Sequence, residues 1–150
     1  MAKAVKLTPR RMGREWALQF LYQFDLRQSE FEEQELELFW NQLEDSPAMP
    51  KGRKRENAQS FANELIRGIV PIIEELDSII SKYSSNWPIS RMPVVDRQLL
   101  RIGTFEICKQ GTAAEVVINE AVEIAKAFGD KDSTKFINAI LDQVHKHKSE

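Results

Sequence analysis

Apolar residues recur along this chain at intervals of three and four, and nowhere do they alternate over a length that would build a strand. The pattern predicts a helix from Pro9 to Leu26, with Thr8 as N-cap and Pro9 at the first helical position. A second helix covers Glu32 to Leu43, and Asp45 to Gly52, with two prolines and a glycine, reads as a loop. The third runs from near Lys54 to Val70. Pro71 then breaks it or opens the next helix, which carries Ile72, Ile73, Leu76, Ile79 and Ile80. Ser84 to Met92 is a connector, after which Pro93 opens a helix reaching about Lys109. Gly111 ends that helix, and Thr112 with Glu115 gives a capping-box pattern for the next. Gly129 closes it, Asp132 is placed to cap a last helix to Val144 or beyond, and His145–Glu150 is expected to fray.

About seven helices without strands predict an all-α fold held by helix-on-helix packing. The natural division is a three-helix N-terminal sub-bundle over about residues 9–70 and a four-helix C-terminal one over about 71–148. The two would share a core within a single domain, a reasonable size for 150 residues. The hydrophobic fraction of 42% against 29% charged residues suits a globular chain and argues against disorder. One cysteine, Cys108, leaves no internal disulfide framework and fits a reducing compartment. Residues 1–14 have no apolar run, so no secretory signal is expected, and no window is apolar enough for a membrane span. The expectation is a cytoplasmic protein without membrane contact.

A net charge of −2 would disfavour nucleic acid if the charges were spread evenly, but they are segregated. Lys3, Lys6, Arg10, Arg11 and Arg14 open the chain without an acid among them before Glu15. Asp25, Glu30, Glu32, Glu33, Glu35, Glu37, Glu44 and Asp45 follow with only Arg27 between them, and Lys51, Arg53, Lys54 and Arg55 are basic again. Such blocks either create a local binding field or are solvated helix ends.

Three segments are candidates for a binding surface. On the first helix, Trp16, Ala17, Phe20, Leu21 and Phe24 form a broad apolar face at about 100° per residue. Arg11, Arg14, Leu18 and Tyr22 fall within roughly 80° of one another on the other side, so Leu18 and Tyr22 are expected to point away from the core. Arginines bind phosphate and a tyrosine ring stacks on an unpaired base, a combination suited to single-stranded RNA. The lesser alternative packs the stripe on another helix of the same chain, with Tyr22 half-buried. Near the last turn, Phe136 lies at the edge of the stripe Ile137, Ile140, Leu141 and Val144, beside Lys135; spacing favours a core rim there, with Asp132 simply a cap. In the segment from Arg91 to Ile102, the core positions are Val95, Leu99, Ile102 and Phe105; Asp96, Arg97 and Arg101 lie to the sides, solvated or against a partner protein.

Catalytic chemistry finds little support. His145 and His147 are i,i+2 neighbours and cannot share a helix face as zinc ligands would. Cys108 has no nearby histidine and sits near an apolar face. No phosphate-cradling glycine loop and no nucleophile elbow occur. No enzyme, metal, cofactor or small-molecule substrate is expected.

Three blocks carry a family likeness. Arg10-Arg11-Met12-Gly13-Arg14-Glu15-Trp16-Ala17-Leu18-Gln19-Phe20-Leu21-Tyr22 resembles the arginine-rich first helix of the NusB family. Asp96 to Ile107 looks like that family's middle helix. Ile118 to Gly129 followed by Asp132-Ser133-Thr134-Lys135-Phe136-Ile137-Asn138 is similar to its C-terminal signature, nearly unbroken. The resemblance spans Arg10 to Val144 and implies an all-helical factor, usually described as two three-helix sub-bundles. Such a factor pairs with NusE, a small-subunit ribosomal protein, and binds the boxA element of nascent RNA. With the other Nus factors on RNA polymerase it supports antitermination, notably on ribosomal RNA operons.

By residue, the likeness implies RNA contacts from Arg10, Arg11, Arg14, Tyr22, Lys135 and Phe136, with Leu18 in the same stripe. Asp96 and the helix around it, with Arg97 and Arg101, would face NusE, and Asp132 would lie close to where the two surfaces meet. Two positions depart from the family pattern. Gly13 replaces an alanine, at about 1 kcal/mol of helix stability, which suggests a basic end ordered only on RNA. Met12 stands where some relatives carry a third arginine. Two other readings compete: a purely protein-binding adaptor, and an accessory of RNA cytosine methyltransferases, to which similar domains are fused. The second is disfavoured because 150 residues leave no room for a cofactor-binding α/β domain.

Overall fold

The computed structural model describes residues 8–47 and 49–148. Among them are seven α-helices and no strand: α1 (Pro9–Arg27), α2 (Glu33–Glu44), α3 (Arg53–Ile69), α4 (Ile73–Ser81), α5 (Val94–Cys108), α6 (Ala114–Phe128) and α7 (Ser133–His147). Pro71 lies in a short 3₁₀ turn, Val70–Ile72, between α3 and α4, so the proline tightens the turn before the next helix resumes. The chain divides into two compact units, one ending at Ile66 and the other beginning at Arg67.

In the first unit the sequence sets the start of α1. The Thr8 hydroxyl accepts the Arg11 backbone N–H at 3.0 Å, and Pro9 fills the first helical position. An aromatic cluster ties α1 to α2. Trp16 meets Trp40 edge-on at 5.6 Å, Phe20 meets Phe39 at 5.6 Å, and Phe39 meets Trp40 at 5.1 Å. The Trp40 indole N–H is satisfied by the Asn63 side-chain carbonyl of α3 at 2.9 Å. The acidic α2 is partly neutralised at both ends, where Glu35 pairs with Arg27 at 3.2 Å and Glu44 with Arg55 at 2.7 Å.

In the second unit α5 is the central helix and packs on α4, α6 and α7. Its residues from Gln98 to Ile107 are all buried, polar ones included. Gly111, at φ +66°, turns the chain so that the Thr112 N–H reaches back to the Glu106 carbonyl at 3.0 Å. Thr112 therefore belongs to the end of α5. The expected capping box with Glu115 does not form, and Ala113 is the N-cap of α6 with no side-chain cap.

Candidate nucleic-acid interface

The arginine-rich turn of α1 lies on α3 through Phe61. The guanidinium carbons of Arg10 and Arg14 stand 4.8 and 5.2 Å from the centre of that ring, within cation–π range. Gly13 makes the approach possible. A Cβ there would come within 2.8 Å of the Ala58 carbonyl oxygen and 2.9 Å of the Phe61 ring. Gly13 is thus a close-packing residue, and α1 continues unbroken through it. Lys3 and Lys6, part of the basic run, lie outside the described residues.

The expected stripe is only partly on the surface. Arg10 is exposed, Arg11 half-buried and Tyr22 39% exposed, but Arg14 is 3% and Leu18 2% exposed. Leu18 does not point away from the core, and Arg14 is held within the fold. The cause is the width of the buried face: Met12, Gly13, Arg14, Trp16, Ala17, Leu18, Phe20 and Leu21 are all buried and span about 240° of the helix, leaving a strip that carries Arg11, Glu15 and Tyr22. The apolar stripe alone suggests a narrower core face, so Arg14 and Leu18 on its flank are inside, while Tyr22 beyond them remains exposed.

The second patch sits where α7 begins. Gly129 ends α6, its N–H bonded to the Ala125 carbonyl at 2.8 Å. The Ser133 hydroxyl then accepts the Asp130 N–H at 2.9 Å and donates to the Asp96 carboxylate at 2.6 Å. Asp132 occupies the N-cap position but its side chain makes no cap bond and is exposed. Ser133, not Asp132, anchors this turn. Lys135 is exposed and lines a groove of about 640 Å³ between α6 and α7, together with Ile118, Val122, Asn138, Asp142 and His145. Phe136 is half-buried against Trp87, ring centres 4.9 Å apart and planes at 52°.

Trp87 escaped the sequence reading because it lies in a segment without helical periodicity. The available signal was a tryptophan beside a proline in a connector.

Two of the α5 residues expected at its sides, facing solvent or a partner, are instead inside the fold. Asp96 is 2% exposed, and its carboxylate is turned to Ser133, 37 residues along the chain. Arg101 is buried too, its guanidinium bonded to both carboxylate oxygens of Asp77 at 2.8 and 2.7 Å and to Gln98 at 3.2 Å. Both sit on a helix surrounded by three others, so positions lateral to the apolar stripe are inside as well. Arg97 is half-buried.

Burial pushes the Asp96 carboxyl above its ordinary value of 3.8, the Ser133 hydrogen bond pulls it back in part, and the neighbouring Asp130 charge raises it further. A carboxyl whose pKa is raised by folding contributes stability that is present below 3.8 and is lost as pH rises through the folded-state value. Asp96→Asn keeps an acceptor for Ser133 and removes the charge. Urea unfolding at about pH 4 and about pH 7 should therefore show the variant gaining stability relative to the wild type as pH rises. A gap that does not change with pH would contradict the assignment.

Comparison with known proteins matches this arrangement to one family. The NusB family profile covers residues 11–146. The transcription antitermination protein NusB of Thermodesulfovibrio yellowstonii is 38% identical over 147 residues, 93% of each chain. The solved T. maritima NusB superposes with a TM-score of 0.74 at 35% identity, covering 95% of this chain and 94% of that one. A crystal structure of antitermination factors NusB and NusE in complex with dsRNA contains a chain similar at TM-score 0.74 and 31% identity, covering 92% of this chain and 96% of that one. With the sequence profile and the helical framework in agreement over nearly the whole length, the chain belongs to the NusB family.

Proposed function

We propose that this protein is a transcription antitermination factor that binds boxA-type single-stranded RNA together with NusE and so supports transcription of ribosomal RNA operons. The observation that carries the RNA and NusE part of the reading is the solved relative in complex with NusE and dsRNA, whose chain matches this one over nearly its full length; the preference for a single strand rests on the local chemistry. The local chemistry agrees. Arg10 and Tyr22 are exposed on α1, and Lys135 is exposed beside Phe136 on α7, giving cations and aromatic rings suited to phosphates and unpaired bases.

In this reading Arg10, Arg11, Tyr22, Lys135 and Phe136 meet RNA, while Arg14 positions its neighbours from within. Asp132 and Arg97 serve the NusE side; Asp96 and Arg101 shape the helices beneath. Other Nus factors and RNA polymerase are engaged through the assembly, in the cytoplasm. The factor acts by binding and not by catalysis. Among the described residues no cluster of three or more His, Cys, Asp or Glu is placed to hold a metal ion. Burial pushes the Cys108 thiol above its ordinary value, the reverse of what a nucleophile needs. No helix among the described residues is long and apolar enough to cross a membrane.

The test is a titration of a boxA oligonucleotide, single-stranded and as a duplex, with and without NusE at several salt concentrations. Affinity for the single strand should rise when NusE is present, since each protein supplies part of the surface, and RNA should then tighten NusE binding by the same factor. Arg10→Ala should lower the salt slope by roughly 0.7, the value of one phosphate contact on a single strand. Tyr22→Ala should weaken binding roughly tenfold with the slope unchanged, because stacking releases few counterions. Binding of NusE with no RNA affinity under any condition would establish the adaptor reading instead.

A further inference from the structure

We propose that Trp87 is an RNA-stacking residue and that Phe136 is the support against which it is held. The inference deepens the RNA reading above and rests on it. Of the three tryptophans, Trp16 and Trp40 are 8% and 7% exposed within the aromatic core, whereas Trp87 is 39% exposed in the connector before α5. The Trp87 ring is fixed on two sides.

Its Nε1–H donates to the Arg91 carbonyl at 3.1 Å, so the polar edge is satisfied within the protein and a ligand meets ring surface, not a donor. Its other constraint is Phe136, 4.9 Å away at 52°, a tilt that makes the pair a wedge instead of two stacked plates. Phe136 is the more buried of the two rings, so the larger accessible aromatic surface belongs to Trp87. The segments that carry the two rings also bear exposed Arg91 and Lys135. An aromatic surface held rigid and flanked by cations matches an unpaired base with its attached phosphates. An apolar protein segment would gain nothing from the two cations.

The full-length protein, its Trp87→Ala variant and its Trp87→Phe variant are titrated with a single-stranded boxA oligonucleotide in the presence of NusE. Trp87→Ala should weaken binding roughly tenfold, with the salt slope unchanged, as expected for the loss of one stacked base. Trp87→Phe loses the hydrogen bond to Arg91 but keeps a ring, and should stay within about threefold of wild type, since stacking tolerates exchange of the ring. A loop-bracing role predicts the opposite for Trp87→Phe, which would then fail as badly as Trp87→Ala. Tryptophan emission gives an independent signature. RNA should quench the wild type, and in Trp87→Phe that quenching should vanish while binding persists, because the remaining indoles are buried.

Full RNA affinity in Trp87→Ala would overturn the inference and leave the proposed function standing, as would a loss confined to NusE binding, which would make the patch a protein contact. Wild-type protein that binds no RNA would overturn the function itself, and this inference with it.

Discussion

Asp77→Ala is expected to destabilise the protein by an amount near the lower end of about 3–5 kcal/mol, the range for removing one member of a buried ion pair. The Arg101 guanidinium is engaged by both Asp77 oxygens, and its side chain is only 6% exposed. Without the carboxylate the buried guanidinium loses both of those bonds and keeps Gln98 among its partners. The Asp77 side chain is 25% exposed, which lets water reach the vacated site and places the cost toward the lower bound. Replacing both members by apolar residues of similar size, Asp77→Leu with Arg101→Met, should recover much of the loss, because the penalty lies in the orphaned charge more than in the missing attraction. Urea unfolding of the two variants measures both. A loss below about 1 kcal/mol for Asp77→Ala would return Arg101 to the role of a solvated, partner-facing group.

Gly13→Ala should also destabilise, against the helix scale. Propensity alone favours alanine by about 1 kcal/mol. The new methyl group, however, would stand 2.8 Å from a backbone oxygen and 3.3 Å from a backbone nitrogen of α3, atoms that move only if the helices separate. Overpacking of this kind costs about 1–3 kcal/mol, and the main-chain obstacle puts it at the high end, for a net loss of about 1–2 kcal/mol. The displacement would also shift Arg10 from the Phe61 ring, so RNA affinity should fall with stability. Thermal melting and an RNA titration on the same variant check the pair of effects. A more stable Gly13→Ala would show that the helices part without cost.

The helices were legible because each is announced locally. Thr8-Pro9 opens α1, Gly111 and Gly129 end α5 and α6, and the apolar spacing between them has the helical period. What escaped was the third dimension. Periodicity identifies a buried face but not its width, so Leu18, Asp96 and Arg101 read as solvent- or partner-facing, although the buried face of α1 is broad and α5 is covered all round. Asp77 and Arg101 are 24 positions apart, and no local pattern links them. The family likeness names segments but not which atoms in them are accessible. It placed Phe136 at the RNA and was silent on Trp87, whose ring lies over it.

The Ser133 hydroxyl has a consequence for how quickly partners can engage. It closes the turn before α7 onto its own backbone and onto α5 at the same time. Asp132, Lys135 and Phe136 therefore project from a chain whose torsions are already settled. The backbone part of their ordering entropy is spent during folding, and an incoming molecule has fewer degrees of freedom left to freeze. On the proposed function, a molecule that docks there meets a turn already in shape, and encounter need not wait for a loop to find it.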